Sequence, residues 1–234
     1  MSMWASLSTW WASLARRRAA PSGGLPAPGR WLVVDVESSG LDPSRDRLLA
    51  IAAVAVHFDE DFRHPRIELG DAFEVLLRQA RHHTEQADKA NILIHGIGVG
   101  AQRNARPAQE ALQAWSRFAA DSPLVGYHSA FDQAMIDRAM QAAFGQVLPN
   151  PWLDLEHVSA LVHQDPRPRP LDHWLKRQGI HCLIRHQAAA DALATAELML
   201  SLWPKVRARL DGRFSVVADW AQSHRFMAGR PGSR

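Results

Sequence analysis

Cysteine is almost missing from this chain: the 234 residues hold one, Cys182. A single thiol excludes an internal disulfide framework and any cysteine-rich zinc module, and it fits a reducing, cytoplasmic setting. Long apolar runs are also missing. Trp4, Leu7, Trp11 and Leu14 share one helical stripe with Trp10 beside it. That segment stops at Arg16, Arg17 and Arg18 after about 14 residues, short of the roughly 20 that cross a bilayer. Its positive charge follows the apolar part, whereas a secretory signal carries it in front, so neither a transmembrane segment nor export is expected. Net charge is small as well, with 27 Lys plus Arg against 24 Asp plus Glu leaving +3. Composition alone therefore demands no polyanionic partner. No internal repeat and no strong base-stacking platform is visible.

What is present divides the chain. Residues 1–18 read as an amphipathic helix that docks on its own domain or recruits a protein partner. Residues 19–29, AAPSGGLPAPG, read as a Pro/Gly-rich linker. The main domain is expected over 30–212 and a basic tail over 213–234. It opens with strands, first WLVVDVES, then the apolar LLAIAAVAVHF at 48–58 after a turn rich in Asp and Pro, then 72–77. The connection 78–100 resists assignment, although His95 before Gly96 is a candidate cleft residue. A helix follows at 107–120, and from there strand and helix alternate through 124–127, a helix at 130–144, then 155–162, 171–178 and 188–202. Strands first and alternation later imply an α/β fold with a mixed sheet covered by helices.

Three places carry candidate chemistry. Asp35 and Glu37 stand at i and i+2 of a strand, so their side chains share a face while Val34 and Val36 point away. Adjacent acids raise each other's pKa unless a cation lies between them. The pair reads either as the start of a divalent-metal site or as a strand reaching its solvent edge. Asp132, in YHSAFDQAMIDRAM, lies on the helical stripe of Ile136, Ala139, Met140 and Ala143, where a buried carboxylate needs compensation. Its other reading is a first-turn acid favoured by the helix dipole. His186 and Asp191 are about 140° apart on a continuous helix. A helix that begins near Ala188 instead leaves His186 on the preceding loop, free to swing over a site to which Asp191 is fixed. Four acids without clustered cysteine suit Mg²⁺ or Mn²⁺ better than zinc.

Taken in order, Asp35-x-Glu37, Asp132 in YHSAFD and His186-x4-Asp191 resemble the three motifs of the DEDDh 3′→5′ exonucleases. That family includes the epsilon proofreading subunit of bacterial DNA polymerase III and ribonuclease T. The similarity runs over about 31–203 and includes SSGLDPSRDRLLAIAAVAV, HGI at 95–97 and DALATAEL. It implies a ribonuclease H-like, mixed five-stranded sheet in a three-layer α/β/α arrangement. It also implies two Mg²⁺ or Mn²⁺ ions held by Asp35, Glu37, Asp132 and Asp191, with Asp35 between them and His186 as general base. The implied activity is stepwise hydrolysis of nucleic-acid 3′ ends, single-stranded DNA favoured, releasing nucleoside 5′-monophosphates. RNA ends or short oligonucleotides are the rival substrates, and an adaptor of a polymerase or regulatory complex is the rival role. Ser38, Ser39, His95, His128 and Ser129 are the candidate substrate contacts. Ser38 and Ser39 stand where relatives often have threonine, and Ser129 where asparagine is common. Asp154 is adequately explained as a helix N-cap.

Overall fold

Nine residues free of Gly and Pro, RWLVVDVES, form β1 (Arg30–Ser38), and its β-branched valines suit a pleated, packed surface. It pairs antiparallel with β2 (Leu48–His57), apolar up to its last residue, Val33 facing Val54 and Asp35 facing Ala52. β2 in turn pairs antiparallel with β3 (Arg66–Leu76). On its other side β1 takes β4 (Leu124–Gly126) in parallel, and β4 takes β5 (Trp152–Asp154) in parallel. The sheet order is β3-β2-β1-β4-β5. β1 and β4 therefore run out at the same edge, the carboxyl end of the parallel strands, where open α/β sheets place their ligands. The computed structural model describes residues 29–85, 89–182 and 184–228. The expected helix at 1–18, and all of the linker but Gly29, lie outside them.

The helices are α1 (Arg81–Glu85), α2 (Lys89–His95), α3 (Val99–Asn104), α4 (Ala108–Ala119), α5 (Ser129–Phe144), α6 (Leu155–His163), α7 (Leu171–Gln178), α8 (Ala188–Arg207) and α9 (Phe214–Ala228). The alternation of β1 sorts them into two layers. Trp31 and Val33 face one core with Trp174 of α7, Leu198 and Leu202 of α8 and Val217 of α9. Leu32, Val34 and Val36 face the other with Leu112 and Trp115 of α4 and Ile136 and Met140 of α5. Each such side chain buried is worth roughly 1.5–3 kcal/mol. The mixed five-stranded sheet between two helical layers agrees with the expected three-layer fold. Among the described residues no helix is long and apolar enough to cross a membrane.

Two local expectations need correction, and one unassigned stretch is filled. The third strand starts at Arg66, well before 72, because β2 offers partners along its whole length across a bulge at Val54/Ala55. The unassigned connection holds α1, α2 and α3, each under eight residues. The expected basic tail is not a tail in its described part, 213–228: Val217, Ala218 and Ala221 of α9 are buried against the α8 side of the sheet. Their i, i+1, i+4 spacing makes one apolar face, and His224, also buried, extends it.

One polar clasp ties the start of β1 and the end of β2 to the middle of β3. Arg30 donates from Nε and Nη2 to Asp71 Oδ2 and Oδ1 at 2.7 and 2.8 Å, and from Nη1 to Ser122 Oγ at 2.7 Å. His57 Nε2 lies 2.8 Å from Asp71 Oδ2. Burial pushes the Asp71 carboxyl up, but the Arg30 and His57 hydrogen bonds and charges outweigh it and hold it well below the ordinary carboxylate range. A depressed folded-state pKa gives stability that is complete above the unfolded value, about 3.9, and is lost as pH falls through the folded one. Asp71→Asn should cost about 2 kcal/mol near neutral pH, between the values for exposed and fully buried pairs. It should also blunt the wild type's loss of urea resistance below about pH 4.

Candidate active site

The carboxyl end of β1 delivers Asp35 and Glu37 to one face of the sheet, as the alternation requires. Glu37 accepts the backbone N–H of Ala188, the first residue of α8. Asp191 stands one turn further along α8, buried, and its Oδ2 accepts the His186 backbone N–H at 3.0 Å. Buried Ala188 lets that helix approach closely. Asp132 comes from the first turn of α5, also buried, and its Oδ1 accepts from the Val36 backbone N–H at 3.1 Å. Two helix N-termini thus converge on the end of one strand, and positive helix ends favour the acids placed there.

The electrostatics show a cluster of acids under strain. Burial, then Asp132, Asp191 and Glu37, raise Asp35 well above the ordinary range, and Arg185 only partly opposes them. Burial, then Asp191 and Asp132, push Glu37 up to about 8. Burial raises Asp132 well above its usual value despite its bond from Val36. Like charges brought this close favour a cation among them. Three separate elements supply hard carboxylate oxygens, and the nearest sulfur, Cys182 Sγ, is 3.6 Å from Asp191 Oδ1. Burial and Asp191 push that thiol up to about 11, so it stays protonated and donates. The donor set therefore fits Mg²⁺ or Mn²⁺ better than a thiophilic ion.

His186 is exposed on the loop before α8, at φ 61°. A non-glycine residue in the left-handed region is uncommon and strained unless its surroundings hold it. Here the bond to Asp191 fixes the backbone and leaves the imidazole outside. His128 repeats the pattern at φ 58°, also exposed. Asp154 holds that corner: Oδ1 accepts from the His128 N–H at 3.0 Å and Oδ2 from the Ser129 N–H at 3.1 Å. It also caps α6 by accepting from the Glu156 N–H at 3.0 Å. Asp154 is therefore more than the expected N-cap, because it sets the turn from which Asp132 projects. Asp154→Ala should cost about 2 kcal/mol, the upper end for a lost cap, as read from the urea midpoint.

Other expected residues fall into place unevenly. Ser129 is buried against Gly126, where an added Cβ would meet Ser129 Cβ at 3.0 Å and Asp132 Oδ2 at 3.3 Å. Ser39 Oγ donates to Asp46 Oδ1 and accepts from the Arg47 N–H, both at 2.9 Å, and Ser38 Oγ donates to the Gly40 carbonyl. Both hydroxyls thus brace the turn after β1. His95 is buried at the end of α2 with Nδ1 accepting from the Ile97 N–H at 2.9 Å. Asn91 of the same helix donates to the Ser38 carbonyl at 3.3 Å, so α2 lies over the end of β1. Arg185 was not foreseen. Its guanidinium ion-pairs with both Asp191 and Asp172, and only its place beside His186 hinted at the site.

A family model described as RNase T exonuclease matches residues 32–199. The chain belongs to the RNase T exonuclease family. The matched span of this exonuclease domain runs from β1 into α8 and contains all four acids and His186. The chain is 29% identical to a DNA polymerase III subunit epsilon-like protein of Rhodobacter capsulatus, over 83% of this chain and 26% of that protein. It is 27% identical to a DNA polymerase III PolC-type of Latilactobacillus sakei, over 74% of this chain and 11% of that protein. The chain thus spans about a quarter or less of the curated relatives named here. A crystal structure of the zinc-bound form of the E. coli ExoI–single-stranded DNA complex superposes with a TM-score of 0.63 at 20% identity, covering 86% of this chain and 45% of that one. At that identity the likeness is one of fold, the ribonuclease H-like sheet.

Proposed function

We propose that this exonuclease-family chain hydrolyses phosphodiester bonds at nucleic-acid 3′ ends in a metal-dependent way, with single-stranded DNA as the favoured substrate and nucleoside 5′-monophosphates as products. The observation that carries the reading is the convergence of Asp35, Glu37, Asp132 and Asp191 on the end of β1 with His186 exposed at its margin. Two divalent ions held there would supply a nucleophile from water and neutralise charge on the attacked phosphate and the leaving oxygen. Asp35 would be shared between the ions, Glu37 and Asp191 would complete the site of the one that activates water, and Asp132 would support the other. The rigid strand and helices fix these carboxylates before substrate arrives, so little reorganisation accompanies reaction. His186 takes the proton of the attacking water at an imidazole nitrogen, and its pinned backbone lets the ring swing without moving Asp191. His128 and Ser129 shape the opposite lip through the Asp154 brace. Single-stranded DNA is favoured because the ExoI complex of the same fold holds it.

The test is a time course on 5′-labelled single-stranded DNA and RNA of the same sequence, with Mg²⁺, Mn²⁺ or chelator. The expected result is a ladder shortening from the 3′ end, faster on DNA and abolished by chelator. Faster shortening of the RNA would reassign the substrate, and no shortening of either strand with both metals would leave only an adaptor role.

A further inference from the structure

Away from the acid cleft, the described residues bring another set of ligating side chains together. Glu156 and His157 lie in the first turn of α6 and His224 on α9, and one donor atom from each lies within 4.8 Å of the others. The two imidazoles meet edge to face with centroids 5.3 Å apart. His157 Nε2 stands 3.9 Å from Glu156 Oε2. Glu156 and His224 are each only 4% exposed, yet Glu156 Oε1 and both ring nitrogens of His224 lack a hydrogen-bond partner. A buried polar group left unsatisfied costs roughly 1–3 kcal/mol, so three such atoms in one cluster call for an occupant.

The donor types say which. Two imidazoles and a carboxylate suit Zn²⁺ and its late transition-metal neighbours, while Mg²⁺ prefers oxygen alone and keeps its waters. Bonds of about 2.0–2.1 Å space tetrahedral donors roughly 3.3 Å apart, so small side-chain rotations close the observed gaps. The surroundings of His157 also match. Its Nδ1 lies 3.7 Å from Asp154 Oδ2 while Nε2 faces Glu156, the carboxylate–histidine–metal order in which a second carboxylate orients the ligand ring.

We propose that Glu156, His157 and His224 bind one zinc-class divalent ion that clasps α9 onto α6. The clasp lies directly behind Asp154, the residue that braces His128 and Ser129, so it stiffens the corner carrying Asp132. Its donor set is separate from the acid cleft, and it stands whether or not the nuclease reading does.

The test uses the untagged full chain carrying Asp35→Asn and Asp191→Asn, which removes two of the four cleft carboxylates as metal ligands. This protein is loaded with Zn²⁺, desalted and assayed for metal content, and its thermal unfolding is compared in Zn²⁺ and in EDTA. The expected result is about one zinc retained per chain and a midpoint several degrees higher with zinc. Adding His224→Gln should remove both the zinc and the shift. Glu156→Gln, added separately to the same parent, should do so too and serves if His224→Gln fails to fold. A parent that retains no zinc, or a folded glutamine variant that retains it undiminished, overturns the proposal.

Discussion

Asp35→Asn should hydrolyse single-stranded DNA at about a thousandth of the wild-type rate or less, because a metal ligand's contribution of several kcal/mol converts at about 1.4 kcal/mol per factor of ten. The same variant, in chelator near neutral pH, should unfold at a higher temperature than wild type. The two effects share one cause. Asp35 is raised first by burial and then by Asp132, Asp191 and Glu37, so the neutral amide relieves repulsion that only a bound cation would otherwise relieve. Asp191→Asn should lose activity equally, but its apo stability should gain less. Asp191 ion-pairs with Arg185 and accepts the His186 N–H, and the amide gives up that charge pairing. Full activity in either variant with Mg²⁺ would remove the acids from the mechanism. A destabilised Asp35→Asn in chelator would mean that the carboxylate supports the fold.

His186→Ala should lower kcat by roughly 10²–10⁴, the range for a general base, while binding of a single strand in Ca²⁺ changes by less than about twofold. The side chain is exposed and its backbone carries the bond to Asp191, so truncation leaves the acids in place. Alanine must still adopt φ near 61° there, at some cost in stability. His186→Asn tolerates that backbone better and separates the two effects: it should restore stability without restoring rate. Loss of the acidic limb of the pH–rate profile in both variants would mark the imidazole as the proton acceptor. An unchanged profile would move that role elsewhere, with exposed His128 the next candidate.

Much of the architecture was legible in the chain because it follows from short-range pattern. The alternation in WLVVDVES separates Val34 and Val36 from Asp35 and Glu37, and the two cores confirm that division. The Ala188–Ala190 run marks where α8 starts, and with it the break that puts His186 outside. Other features have no local signature. β5 is three residues long and is defined only by its pairing with β4. The helices between Arg81 and Asn104 are too short for periodicity to distinguish them from turns. α9 was obscured because Val217, Ala218 and Ala221 form a brief apolar face among polar residues. Arg185 and Asp154 act through partners that only the fold brings near, Asp191 and Asp172 for the first, His128 and Ser129 for the second. His224 meets Glu156 only because α9 packs on α6.

In the proposed function the four acids hold the divalent ions that hydrolysis needs. Mn²⁺ uptake, followed by the electron paramagnetic resonance of the free ion in the presence of deoxynucleoside 5′-monophosphate, measures it directly. Wild type should take up about two more Mn²⁺ per chain than the Asp35→Asn, Asp191→Asn double variant. Equal uptake by the two proteins would contradict the account.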